Sequence, residues 1–179
     1  MGNDHERLLL SPQHAYLPVT YWPAKPPEAV FIALHGFNDY SNAFALPAPY
    51  FAEEGIAVYA IDQRTFGQNT ERGIWPNKQN LAQDLAGFVH AVKKKHPEQP
   101  IYLLAESMGS AVALYAYAQP YFPKDKIQGA IFSAPGVWGG SEMNWFYRSL
   151  LWWSAHTFPD SHVTGKGLKI RATDNIDVL

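Results

Sequence analysis

The sequence contains no cysteine. Disulfides, thiolate metal sites and a cysteine nucleophile are therefore excluded. It also has little net charge, −2 from 14 basic and 16 acidic side chains. Neither sign has the excess that a phosphate backbone demands, so no nucleic-acid partner is expected. No apolar run approaches the ~20 residues of a membrane span. Met1 to Arg7 is polar, and Leu8-Leu9-Leu10 is too short for the apolar core of a secretory leader. These absent signals make cytoplasmic the expected location. Internal repeats and low-complexity segments are absent too.

Hydrophobic residues make up 47% of the chain and charged residues 17%, a globular composition. A length of 179 residues suits one domain. The basic run Lys93-Lys94-Lys95 stands at the end of an expected helix, where it complements the helix dipole rather than binding phosphate.

Tyr16 to Trp22 reads as an early strand, broken by Pro23, Pro26 and Pro27. Ala29 to Leu34 (AVFIAL) is a continuous apolar run ending at His35-Gly36, the pattern of a strand buried on both faces. Ala43 to Glu54 is expected as a helix, with Pro47 and Pro49 tolerable only in a first turn. Ile56 to Ile61 is a second apolar strand. Asn80 to Lys95 repeats Leu81, Leu85, Phe88, Val89 and Val92 at helical spacing. Ile101 to Ala105 is a third buried strand, Ser107 to Gln119 an Ala-rich helix, and Ala130 to Ser133 a fourth buried strand. Buried strands alternating with helices predict a mostly parallel sheet with flanking helices.

The sharpest chemical signal is Ala105-Glu106-Ser107-Met108-Gly109, which leaves an apolar strand and opens a helix. A serine on a tight strand-to-helix turn presents its hydroxyl at the carboxyl edge of the sheet. Ala105 and Gly109 supply the small residues such a turn needs. Ser107 is then the candidate nucleophile, and the Met108 N–H at the helix start is a candidate oxyanion donor. The competing reading of Ser107 is an ordinary helix N-cap. His35-Gly36-Phe37 follows the first core strand; there Phe37 N–H would be the second oxyanion donor, Gly36 would admit the substrate, and His35 would be structural.

Four segments, HGFNDYS (His35 to Ser41), DQRTFG (Asp62 to Gly67), AESMG (Ala105 to Gly109) and FSAP (Phe132 to Pro135), stand in matching order and spacing. Together they resemble the monoacylglycerol lipase and lysophospholipase branch of the α/β-hydrolases, the serine aminopeptidase-like group, over roughly residues 28–179. The resemblance implies an α/β-hydrolase fold and hydrolysis of a carboxylic ester through an acyl-serine intermediate. The implied substrate is a small lipid or ester of monoacylglycerol or lysophospholipid type, with no cofactor and no metal. A peptidase or amidase of the same branch uses the same elbow. The chain departs from the family at Ala105, at Thr65 where glycine is usual, and at Asn38-Asp39-Tyr40.

In this superfamily the order is serine, then acid, then histidine. The resemblance implies that residues 1–138 form the N-terminal part of the core and 139–179 a helical, aromatic-rich cap. The C-terminal part of the sheet, with the triad acid and base, would lie outside the chain. His156 and His162, with Asp160 between them, fall in the expected cap, and Asp174 and Asp177 follow no buried strand. The expectation is an N-terminal portion, marginally stable and poorly active alone, with an exposed sheet edge; a non-catalytic fragment or interaction module is the rival. Trp145, Trp152 and Trp153 would pack on the sheet or touch a membrane peripherally.

Overall fold

The computed structural model describes residues 4–10, 15–137 and 144–158. The chain divides into two compact units, Met1–Val137 and Trp138–Leu179. The first unit is built on a six-stranded sheet of order β1-β2-β4-β3-β5-β6. Four parallel strands carry it: β3 (Ala29–Leu34), β4 (Ile56–Ile61), β5 (Ile101–Glu106) and β6 (Gly129–Ser133). β2 (Ala15–Trp22) joins β4 antiparallel, and β1 (Asp4–Leu10) joins β2 antiparallel. β1 is not among the strands expected from the sequence, because a seven-residue segment with mixed polarity takes strand geometry only from its partner.

The apolar runs explain the layers. On one face of the sheet Val30, Ile32 and Leu34 pack with Leu85, Phe88 and Val89. The last three lie on α2 (Lys78–Lys95), whose apolar stripe faces inward. α3 (Met108–Tyr117) adds Ala113 and Ala116 to the same cluster. On the other face Phe31, Ala33, Val58 and Ala60 meet Phe44 and Ala48. Asn77 caps α2, its side-chain oxygen accepting from Asn80 N–H at 2.8 Å. At the other end Lys93 Nζ donates to Gln99 O at 3.0 Å.

Two expectations need correction. The helix expected over Ala43–Glu54 is two pieces, a 3-10 turn at Ser41–Phe44 and α1 (Pro47–Glu53). Pro47 and Pro49 lack N–H donors, so the α-helix can begin only at the first of them. β6 is not buried: Ile131 is 49% and Phe132 39% exposed. β6 pairs on one side only, with β5, and is an edge among the described residues. In the second unit α4 (Trp145–Thr157) is capped by Asn144, whose side chain accepts from Phe146 N–H at 3.0 Å.

Candidate active site

The connection from β4 through α2 to β5 passes over β3, so β3 has partners reached in opposite directions. Ligands of open α/β sheets bind at such a switch point, beyond the carboxyl ends of the strands. Ser107 stands there, between β5 and α3, with φ 46° and ψ −112°. A non-glycine residue held in this region stores about 1–3 kcal/mol of strain. Backbone bonds hold it. Ser107 N–H donates to Ser133 O at 2.9 Å, and Gly136 N–H donates to Ser107 O at 2.9 Å. Ser110 Oγ donates to Ala105 O at 2.8 Å, closing the turn from beneath.

Ser107 occupies the N-cap position of α3, but its side chain makes no cap hydrogen bond. Two glycines permit the close approach of the surrounding backbone. A Cβ on Gly109 would stand 2.5 Å from Leu34 O and 2.8 Å from His35 O. One on Gly36 would lie 3.4 Å from Ser107 Cβ, which puts the loop after β3 directly beside the serine. Leu34 and Ala105 are register partners across β3 and β5. Phe37 and Met108 each lie three residues beyond that pair.

His35 is fully buried. Its Nδ1–H donates to Gly36 O at 2.7 Å and its Nε2 accepts from Gln63 N–H at 3.0 Å. The accepting Nε2 assigns the neutral Nδ1–H tautomer, and burial lowers the ring's pKa from 6.5. Both nitrogens are spent, Nδ1 within the loop after β3 and Nε2 on the loop after β4, leaving none for Ser107. Gln63 Nε2 also donates to His35 O at 2.8 Å.

Asp62, the first residue of the DQRTFG segment, has a structural role that the segment alone does not disclose. Its carboxylate is fully buried and grips two loops. Oδ1 accepts from Ser41 N–H and Oδ2 from Gln68 N–H, both at 2.8 Å. A side chain on Gly67 would run into that carboxylate. Arg64 ties the same loop to α2: Nε donates to Asp84 Oδ2 at 2.8 Å and Nη2 to Oδ1 at 2.7 Å. Burial raises the Asp84 pKa while the Arg64 hydrogen bond opposes it. The residue pattern that could have disclosed Asp62 is an acid directly after an apolar strand with a glycine five positions on.

Beside the Phe37 loop lies a pocket of about 370 Å³, lined in part by Phe37, Asp39, Phe66, Arg72 and Trp75. Ser107 does not line it; Phe37 is the link. Phe66 stands in the DQRTFG segment without a role there, and Arg72 and Trp75 carry no sequence signal, because their loop has no periodicity. His156, on α4, has Nδ1 bonded to Trp152 O at 2.7 Å and its ring stacked on Trp152. His162, Asp160, Asp174 and Asp177 lie outside the described residues. Among the described residues no helix is long and apolar enough to cross a membrane.

The family described as serine aminopeptidase, S33, matches residues 25–179. Monoglyceride lipase of Rattus norvegicus is 31% identical over 113 residues, covering 62% of this chain and 37% of that protein. Protein phosphatase methylesterase 1 of Candida albicans is 28% identical over 111 residues, 62% of this chain and 30% of its own. Among solved structures, a soluble variant of Saccharomyces cerevisiae monoglyceride lipase in complex with a substrate analog aligns with a TM-score of 0.71. It is 22% identical, over 94% of this chain and 56% of that one. A thermostable carboxyl esterase from Bacillus coagulans aligns with a TM-score of 0.64 at 20% identity, over 74% and 44%. The chain thus spans 30–37% of the length of these sequence relatives. The parallel sheet, the strained serine at its switch point and these likenesses agree: the chain belongs to the serine aminopeptidase S33 family, in the monoglyceride lipase-like branch of the α/β-hydrolases.

Proposed function

We propose that this chain carries the nucleophile and oxyanion hole of a serine hydrolase for carboxylic esters of monoacylglycerol or lysophospholipid type. Ser107 Oγ attacks the ester carbonyl carbon and its proton passes to a general base. The tetrahedral oxygen accepts from the N–H groups of Phe37 and Met108. Collapse expels the alcohol, which takes back the proton, and water then hydrolyses the acyl-serine. The reading is carried by Ser107 itself: a positive-φ serine, free of any cap bond, at the carboxyl end of a central strand. Its base and acid would come from outside the described residues. Labelling with a fluorophosphonate, with the adduct mapped by mass spectrometry, tests the proposal. The expected result is modification at Ser107 that disappears in Ser107→Ala. A label surviving that substitution, or an adduct mapped to a different serine, overturns it.

The family's description as an aminopeptidase favours a second reading, cleavage of an aminoacyl amide at the same serine. Parallel assays of ester and amide substrates separate the two. Absence of both activities, with the exposed Ile131 and Phe132 of β6, would favour an interaction module instead.

A further inference from the structure

The pocket beside Phe37 has a composition that ester hydrolysis alone does not require. Phe37 and Trp75 are 66% and 64% exposed, although large aromatic rings ordinarily bury themselves. They do not stand apart. Phe37 and Trp75 have ring centroids 5.9 Å apart at 50°, Phe37 and Phe66 6.0 Å at 76°, and Phe66 and Trp75 6.3 Å at 88°. Three rings this close and this steeply inclined form a corner rather than a stack. Such corners attract alkylated ammonium groups, through the negative faces of the rings.

Two opposite charges line the same cavity, Asp39 and Arg72. Neither forms an ion pair with the other or with any further side chain among the described residues. Asp39 Oδ1 accepts from Tyr40 N–H at 2.8 Å, which aims the carboxylate without neutralising it. Opposite charges held in one pocket but not joined call for a ligand that carries both signs. The pocket's volume, about 370 Å³, lies in the range of small-molecule sites. Two of its non-glycine residues, Asn38 and Thr65, have positive φ (62° and 69°), so its walls are set by strained backbone.

We propose that this pocket binds the zwitterionic headgroup of a lysophospholipid, the quaternary ammonium against the Phe37–Phe66–Trp75 corner near Asp39 and the phosphate on Arg72. This inference rests on the ester-hydrolase reading and narrows it from lipid esters in general to those with a phosphocholine-like head. Arginine supplies planar, forked donors suited to phosphate oxygens. The bound headgroup would hold the acyl ester beside Phe37, the residue shared by the pocket and the oxyanion hole.

The test uses four soluble probes titrated calorimetrically into the Ser107→Ala protein: phosphocholine, choline, glycerol 3-phosphate and glycerol. Because the serine is absent, the outcome is independent of the labelling experiment, and either proposal can fail alone. Phosphocholine should bind at least ~10-fold more tightly than any other probe, as expected when both charged ends are engaged. Arg72→Gln should weaken phosphocholine and glycerol 3-phosphate by roughly tenfold and leave choline unchanged. Trp75→Leu, which keeps apolar bulk without a π face, should weaken phosphocholine and choline and spare glycerol 3-phosphate. Circular dichroism verifies that each variant is folded. Phosphocholine binding no better than glycerol, or a folded variant that weakens all four probes equally, would overturn the assignment.

Discussion

Gly109→Ala sets two effects of opposite sign against each other. Alanine is the better helix former by up to ~1 kcal/mol, and less at the second residue of a helix, so propensity alone predicts stabilisation. The structure predicts the reverse. The new methyl would lie 2.5 Å from Leu34 O, 2.8 Å from His35 O and 2.8 Å from Leu34 Cβ. Two of these three are backbone carbonyls of β3 and its exit, fixed by the parallel ladder, so no flexible side chain can yield. Relief requires α3 to lift from the sheet. Overpacking of this kind costs about 1–3 kcal/mol. Taking the upper part of that range, because the contacts are backbone, and subtracting the propensity gain leaves about 2 kcal/mol. For a chain of this length that corresponds to a fall of about 4–8 °C in melting temperature. The lift also carries Ser107 and Met108 away from Phe37, and a 1 Å misplacement can cost ~100-fold in rate. Thermal melts followed by circular dichroism measure the first effect. The rate of fluorophosphonate labelling, taken well below the melting midpoint, measures the second. A melting temperature equal to or above that of the parent would refute the steric argument and show that the β3–α3 contact is soft.

Asp62→Asn should destabilise by about 1–3 kcal/mol, because an amide has one acceptor oxygen for two backbone donors and leaves one of them facing an NH₂. Amide exchange should accelerate at Ser41 or Gln68; unchanged protection at both would contradict the clamp. Stability should fall on acidification from about pH 7.5 to about pH 5.5. His35 and His96 have pKa values lowered from 6.5, both chiefly by burial, and His96 also by Lys95. Below 6.5 the unfolded chain therefore binds protons that the folded chain holds less readily, at up to ~1.4 kcal/mol per pH unit for the buried His35 and by a smaller, solvent-screened amount for the partly exposed His96. Asp84, raised by burial, works in the opposite sense in more acid solution, which is why the window stops where it does. Urea midpoints that are flat across the window, or rise toward acid, would contradict this. On α4, Trp152 and Trp153 are 63% and 53% exposed; if the helix touches a membrane peripherally, replacing both with serine should reduce binding to anionic liposomes, and unchanged binding would argue for packing instead.

The parts legible in the sequence were those governed by local pattern. AVFIAL and IAVYAI announce strands buried on both faces, and β3 and β4 follow their bounds. The stripe from Leu81 to Val92 announces α2. The short turn at Ser107 could be read because it joins a strand to a helix with small residues on either side. What escaped depended on contacts between distant segments. β1 exists through its ladder with β2. The role of Asp62 appears only when Ser41, 21 residues earlier, returns to its carboxylate. Phe37 and Trp75 are 38 positions apart and meet because the loop after β4 turns through Thr65, Gly67 and Gly73, all at positive φ. No residue pattern encodes that path, and the substitution of threonine for the usual glycine at position 65 obscured it further.

The location of the strain supports the placement of the site independently of any motif. Among the described residues, the non-glycine residues at positive φ are Asn38, Thr65, Ser107 and Ala134. Each lies within four residues of the carboxyl end of a different parallel strand: β3, β4, β5 and β6. Random strain would have no reason to choose one edge of the sheet, nor to visit every parallel strand once. At about 1–3 kcal/mol apiece, these conformations persist only where surrounding bonds over-determine them. Such bonds are seen at two of the four: Ser107 is held by Ser133 and Gly136, and the Thr65 carbonyl accepts from Gly73 N–H at 3.3 Å. The opposite edge, where His96 hydrogen-bonds Tyr59 at 2.9 Å ahead of β5, carries none of these strained residues. The packed core stabilises the molecule, and part of that stability is used to hold four loops in shapes that free chains avoid. Such shapes are worth keeping where groups must stay fixed while a reacting atom changes charge, which is the demand an oxyanion hole makes.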